Sequence, residues 1–263
     1  MNANTSTING SPLKITLIGG SGLIGRKLAP LLEEQGHEIV IASPSRGVNT
    51  LTGEGLADTV KGSQVVVDVT NSPSFEENAV REFFDTSTRN ILAACSEAGV
   101  KHFIALSVVG TDRTATNGYF RAKLIQESLI KASAVPFTIV RATQFFEFVG
   151  AIAALSPDGG PVRVSSSRFQ PMAADDVAAA LADVAVSGPL RGIVEIAGPE
   201  AAPMDEIVRR FFEAKGDPRK VIGDRSEPYF GTPIDDQSLT PGPGARLGRI
   251  WFADWLRLPT TKA

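Results

Sequence analysis

Read as apolar and polar positions, the chain switches repeatedly between two periods. The branched run at 13–18 (Leu-Lys-Ile-Thr-Leu-Ile) has the length and composition of a strand. Directly after it, Leu23, Ile24, Leu28, Leu31 and Leu32 recur at helical spacing, and Gly36 stands where a helix would stop. The alternation continues with predicted strands at 38–42, 64–70, 101–107 and 136–141. Between them fall a short helix at 53–59, a long one at 79–98 ending at Gly99, and another from Tyr119 to about residue 133. The run at 64–70 (Gln-Val-Val-Val-Asp-Val-Thr) shows no polar face and so predicts a strand covered on both sides. Strand followed by helix, again and again, calls for a doubly wound α/β fold: a parallel sheet with helices on both faces.

Past Arg141 the regularity falls. An apolar, aromatic stretch at 144–155 contains Phe145, Phe146 and Phe148, and a turn is expected at 159–161. Short strands are expected at 162–164 and 169–172, an Ala-rich helix at 175–186, a strand at 193–196 and an amphipathic helix at 204–215. Residues 224–263 are rich in Pro and Gly and end in an aromatic patch of Trp251, Phe252 and Trp255. The expected organisation is a polar, disordered tail at 1–12, a nucleotide-binding domain at 13–200 and a small substrate lobe at 201–263. The segment at about 143–172 contributes to that lobe.

The chain of 263 residues suffices for one large α/β domain with a small lobe. A net charge of −3 gives no basic surface for nucleic acid or an anionic membrane. No apolar run approaches the ~20 residues needed to span a bilayer, and the polar start lacks the basic and apolar regions of a secretory signal. A cytoplasmic monomer or homodimer acting on a small molecule is the expectation. The single Cys95 lies in an Ala-rich helical pattern and reads as a small buried hydrophobe. With His37 and His102 far apart at strand starts, no metal site is expected.

Candidate chemistry begins at the first strand–helix junction. Gly19, Gly22 and Gly25 stand three apart, with Ser21, Leu23 and Ile24 between them. In such a junction the first glycine permits the turn, the second lets a pyrophosphate approach the backbone, and the third lets the helix pack close to the strand. The helix then points its free N–H groups and positive dipole end at the phosphates. An acidic residue ending the second strand would hold the ribose 2′-hydroxyl of NAD, but none occurs between Ile39 and Thr52. Ser43, Ser45 and Arg46 stand there instead; two hydroxyls and a guanidinium suit a 2′-phosphate and so NADP(H). Val69, Thr70 and Asn71 end the third strand, at the sheet edge where ligands bind in such folds.

With these residues the chain resembles the atypical short-chain dehydrogenase/reductases, the group that includes the NmrA-like NAD(P)-binding proteins. The likeness spans about 13–221. It rests on Gly-Gly-Ser-Gly-Leu-Ile-Gly at 19–25, the strand ending in Ser107, and Tyr119-x-x-x-Lys123 with Glu127 one turn on. Thr-Ile-Val-Arg-Ala-Thr-Gln-Phe-Phe at 138–146 and Ala-Ala-Asp-Asp-Val-Ala at 173–178 followed by Ile-Ala-Gly-Pro-Glu at 196–200 extend it. The resemblance implies a seven-strand Rossmann core and a nicotinamide cofactor. It also implies Tyr119 as general acid/base, supported by Lys123, which would lower the phenol's pKa and hold the nicotinamide ribose. Ser107 is the matching third member, in contact with substrate or cofactor; the family often has a second small polar residue next, and here Val108 takes that place. Gln144, Phe145 and Phe146 would line the substrate pocket. Asp175 and Asp176 read as helix-capping and dipole-stabilising residues without chemistry.

The leading expectation is an NADPH-dependent oxidoreductase that reduces a small carbonyl, quinone or similar acceptor by hydride transfer. A non-catalytic NADP(H) sensor and, less favoured, a nucleotide-sugar epimerase or reductase are the alternatives.

Overall fold

The computed structural model describes residues 11–114, 116–153 and 160–258. Most of the tail expected at 1–12, and Gly159 of the expected turn, lie outside them. The chain runs β1 (Lys14–Ile18), α1 (Leu23–Glu34), β2 (Glu38–Ala42), α2 (Leu56–Val60), β3 (Val65–Asp68), α3 (Glu77–Glu97) and β4 (His102–Val108). It continues through α4 (Gly118–Ala132), β5 (Phe137–Ala142), α5 (Val149–Ala153), β6 (Val162–Val164), β7 (Arg168–Phe169), α6 (Ala174–Val186) and β8 (Gly192–Ala197). It ends with β9 (Ala202–Pro203), α7 (Met204–Lys215), β10 (Val221–Gly223), β11 (Arg246–Leu247) and α8 (Phe252–Trp255).

Seven strands form one sheet in the order β11-β8-β5-β4-β3-β1-β2, and every pair in it is parallel. This is the doubly wound Rossmann-type arrangement. The chain moves outward from β1 to β2, then returns across β1 to β3, so the direction of winding reverses between β1 and β3. Ligands bind in such sheets at the carboxyl ends of the strands flanking that reversal. All four residues of β3 are buried, as its unbroken Val run predicts. On one face Leu28 and Leu32 of α1 pack with Val177 and Leu181 of α6. On the other, Ile91 and Cys95 of α3 and Ile130 of α4 cover Val66, Phe103 and Ile139.

A third core, built on Phe146, Phe169, Ile207, Val208, Phe212 and Phe252, forms the lobe. The lobe is interleaved with the sheet, for β11 returns from it to pair with β8 at the sheet's edge. Three local expectations shift. Helix α2 starts at Leu56, because Gly53 and Gly55 hold left-handed backbone angles (φ +80° and +69°) that interrupt a helix. The strand expected at 169–172 shrinks to Arg168–Phe169, and Met172 instead bridges to Phe145. Asp175 and Asp176 do not cap α6: Glu147 approaches the free amide of Ala174 at 3.3 Å. Asp175 pairs with Lys27 at 2.9 Å, and Asp176 accepts the backbone N–H groups of Arg249 and Ile250, each at 2.9 Å. Among the described residues no helix is long and apolar enough to cross a membrane.

Candidate functional site

The three glycines have distinct physical roles at the carboxyl end of β1. Gly19 adopts φ +79°, and a Cβ there would lie 3.0 Å from the Thr70 backbone nitrogen, so the turn rests directly on the end of β3. Its N–H donates to the Ala42 carbonyl at 2.9 Å, fastening the turn to β2 as well. A Cβ on Gly25 would lie 2.3 Å from the Gly20 Cα, which only glycine avoids. Gly22 differs: the nearest atom to a Cβ there is the Gly19 carbonyl oxygen at 3.2 Å, and its backbone angles are open to any residue. What Gly22 keeps open is the space outside the turn. It is also the N-cap of α1, no side chain caps the helix, and its first-turn N–H groups remain available. Ser21 and Gly22 are exposed, Leu23 is half-buried, and Ile24 and Gly25 face the core. Here a cradle that side chains would fill meets an uncapped helix start, which fits a pyrophosphate.

Next to this turn, β2 is followed by Ser43, whose hydroxyl lies 3.0 Å from that of Ser45. Arg46 closes the 3₁₀ turn Pro44–Arg46 and is exposed, with no ion pair among the described residues. On the other side, Thr70 donates its N–H and hydroxyl to buried Asp68, at 2.9 and 2.7 Å. Val69 is half-buried and Asn71 exposed. The Tyr119 hydroxyl donates to Asn71 Oδ1 at 3.0 Å. Glycine turn, Ser43–Arg46, Val69–Asn71 and Tyr119 therefore form one continuous edge.

Ser107 stands near the carboxyl end of β4, two residues past the Ala105–Asp68 pair, and the Lys123 ammonium reaches Leu106 beside it, but both side chains are buried and turned to partners inside the protein. Lys123 is buried; its ammonium donates to the Leu106 carbonyl at 2.8 Å and to Gln126 Oε1, and lies 4.3 Å from the Phe84 ring centre. The Gln126 amide N–H donates in turn to Asp68 at 3.0 Å. Burial pulls the Lys123 ammonium down to about 8, against the opposing fields of Asp68 and Glu127. Burial raises the Tyr119 pKa, and the hydroxyl's hydrogen-bond partner is Asn71. The Ser107 hydroxyl is likewise buried and donates to Glu127 at 2.7 Å. Glu127 also takes a two-point contact from Arg141, both bonds 2.8 Å. Burial alone would raise this carboxyl; the bonds from Arg141 and Ser107 outweigh it and hold it charged.

Of the three residues expected to line a substrate pocket, Phe146 belongs to the lobe core, 4.9 Å from Phe252 and 5.6 Å from Trp255 by ring centres. Phe145 is half-buried and stacks on exposed Phe148 at 5.6 Å. Gln144 is half-buried, and its side-chain oxygen is buried without a hydrogen-bond partner among the described residues.

Residues 19–187 match the family model described as NAD(P)H-binding, from the first glycine of the turn to the end of α6. The chain belongs to the NAD(P)H-binding family. Among relatives of this NAD(P)H-binding protein are the chloroplastic divinyl chlorophyllide a 8-vinyl-reductases of Cucumis sativus and Arabidopsis thaliana. The first is 24% identical over 74% of this chain and 55% of its own length, the second 24% over 92% and 66%. The chain thus spans only about half to two thirds of the reductases it matches. Among solved structures, the Bordetella bronchiseptica enzyme WbmG, in complex with NAD and UDP, superposes with a TM-score of 0.71 at 18% identity, covering 95% of this chain and 93% of that one.

Several residues around this edge escaped the sequence reading. Asp68 interrupts a Val run, and an acid in a strand expected to be buried on both faces was the available signal. Asn117 caps α4 through Tyr119 and Phe120 and also donates to the Thr232 hydroxyl at 3.0 Å. Nothing in the sequence pairs residues 117 and 232.

Proposed function

We propose that the protein is an NADPH-dependent reductase of a small conjugated carbonyl, a quinone or a similar acceptor, with Tyr119 as proton donor. The observation that carries the reading is the Tyr119–Asn71 hydrogen bond at the carboxyl edge, beside the glycine turn. Bound at that turn, the cofactor supplies a hydride. The acceptor would gain that hydride together with a proton from Tyr119. The first-turn amides of α1 would hold the pyrophosphate, and Ser43, Ser45 and the exposed Arg46 would hold a 2′-phosphate. Asp68 fixes Thr70, and Asn71 aims the phenol. Burial keeps Tyr119 protonated at neutral pH, the state a donor needs, but makes it a weak acid. That combination suits a quinone, whose reduced form is a delocalised oxyanion needing little help from the protein. Lys123 contributes by holding Gln126 and Asp68 in place. The two plant relatives are named as vinyl reductases, which supports reduction of a conjugated system.

The buried Lys123 also favours a second reading, an NADPH-binding sensor without turnover. Oxidation of NADPH, followed by absorbance across quinones, aldehydes and ketones, separates the two. The reductase reading expects turnover that falls about 10²-fold or more for Tyr119→Phe with a carbonyl acceptor, and less with a quinone. Tight NADPH binding with no turnover on the whole panel would favour the sensor. In calorimetric titrations Arg46→Ala should weaken NADPH by ~1.5–3 kcal/mol and leave NADH unchanged, the range for a hydrogen bond to a charged group.

A further inference from the structure

The chain has only two tyrosines, Tyr119 and Tyr229, and the fold brings them together. Tyr229 starts a tight hairpin: its N–H donates to the Thr232 carbonyl at 2.8 Å, and the Thr232 N–H returns to the Tyr229 carbonyl at 3.0 Å. The two central residues, Phe230 and Gly231, both have positive φ, +47° and +77°. That turn favours Asn, Asp or Gly at its first central position, and a bulky residue there is strained. Phe230 nevertheless occupies it with its side chain about half exposed (47%), so it contributes little to packing that would explain the strain. The hairpin is tied to the start of α4, because Asn117, the N-cap beside Tyr119, donates to Thr232 at 3.0 Å. Among the described residues the Tyr229 hydroxyl has no hydrogen-bond partner. Burial first, and the neighbouring Tyr119 second, keep it protonated. A hollow of about 240 Å³ opens here, with apolar lining from Ile152, Val164, Met204 and Phe230. Its charged lining is one of each sign, Arg163 and Glu227, and Arg163 faces Asp224 at 3.8 Å. The hollow is smaller than the roughly 300–1,000 Å³ of drug-sized sites and has no surplus positive charge for a pyrophosphate, so it does not suit a sugar nucleotide.

We propose that the 229–232 turn is the acceptor-recognition element: Tyr229 donates a hydrogen bond to a carbonyl oxygen of a planar conjugated acceptor, and Phe230 stacks on its ring. Strained backbone retained at an exposed aromatic is how a ligand clamp is held ready, and an unused phenol donor beside Tyr119 supplies the polar contact. The inference rests on the reductase reading for its choice of acceptor.

The test is calorimetric binding of 2,3-dimethyl-1,4-naphthoquinone to the full chain loaded with NADP⁺. That cofactor form has no hydride to give, so binding is read without turnover. Tyr229→Phe and Phe230→Asn should each weaken quinone binding about tenfold, the loss of one hydrogen bond or one stacking contact, while NADPH affinity stays unchanged. Phe230→Asn should at the same time melt higher than the wild type, because asparagine suits the turn. Undiminished quinone binding by either variant overturns the proposal, as does a wild type that binds NADP⁺ but not the quinone. Quinone binding that weakens in both variants, in a protein that oxidises no NADPH, leaves the turn standing and removes the reductase reading.

Discussion

At the scale of single residues, burial governs what each ionisable group can do. Lys123 shows it most directly: an ammonium expected at the nicotinamide ribose is enclosed between Leu106, Gln126 and Phe84. His102 is the second case. It is fully buried, with Nε2 2.8 Å from the Thr138 hydroxyl and Nδ1 3.1 Å from the Ser187 carbonyl. Nδ1 must carry the proton, since a carbonyl can only accept, and Nε2 then accepts from Thr138. Burial pulls its pKa from 6.5 down to about 4, against the Ser187 hydrogen bond. The folded state therefore binds the proton less readily than the unfolded chain. This contribution is intact above pH 6.5 and is lost as pH falls from there towards 4. Urea unfolding should give about 2 kcal/mol less stability from this group at pH 5 than at pH 8. His102→Gln should lose less over the same interval; an identical loss in both proteins would place the acid sensitivity elsewhere.

At the scale of elements, the β1–α1 junction separates two demands that one motif combines. Gly25 is required by packing, because a methyl group there would overlap the Gly20 backbone, which has nowhere to go. Gly22 is not required by packing, because its own neighbours would tolerate a side chain with a small adjustment, and the proposed cofactor site gives the glycine its purpose. Gly22→Ala should therefore melt close to the wild type and bind NADPH at least tenfold more weakly. Gly25→Ala should melt several degrees lower, consistent with the ~1–3 kcal/mol typical of overpacking. Thermal melts with and without NADPH check both, and equal destabilisation by the two substitutions would contradict the division of roles. Helix α4 makes a related point. Tyr119 and Lys123 share a face, as their spacing predicts, yet four residues advance a helix by about 6 Å. That step carries the face from the sheet's edge at Tyr119 to the covered strands at Lys123.

At the scale of the whole molecule, the carboxyl-terminal segment closes the structure by returning to it. Asp176 receives the amides of Arg249 and Ile250, β11 joins β8, and Phe252 enters the lobe core against Phe146. Asp176→Ala should speed hydrogen exchange at Arg249 and Ile250 by tenfold or more and leave exchange in β1 and β3 unchanged. Unaltered protection at 249–250 would show that the carboxylate does not hold the segment. The sequence by itself determined the alternation of strands and helices, the parallel sheet, the glycine turn and the absence of an acid after β2. These depend on local periodicity, on backbone freedom and on residue type, all of which are written along the chain. It also marked Tyr119 and Asn71 separately. Only the tertiary structure decided that they meet, that Lys123 and Ser107 face buried Asp68 and Glu127, and that Tyr229 arrives beside Tyr119 from 110 residues away. The direction of a side chain depends on which surface its element is packed against, and that surface is built from residues distant in sequence.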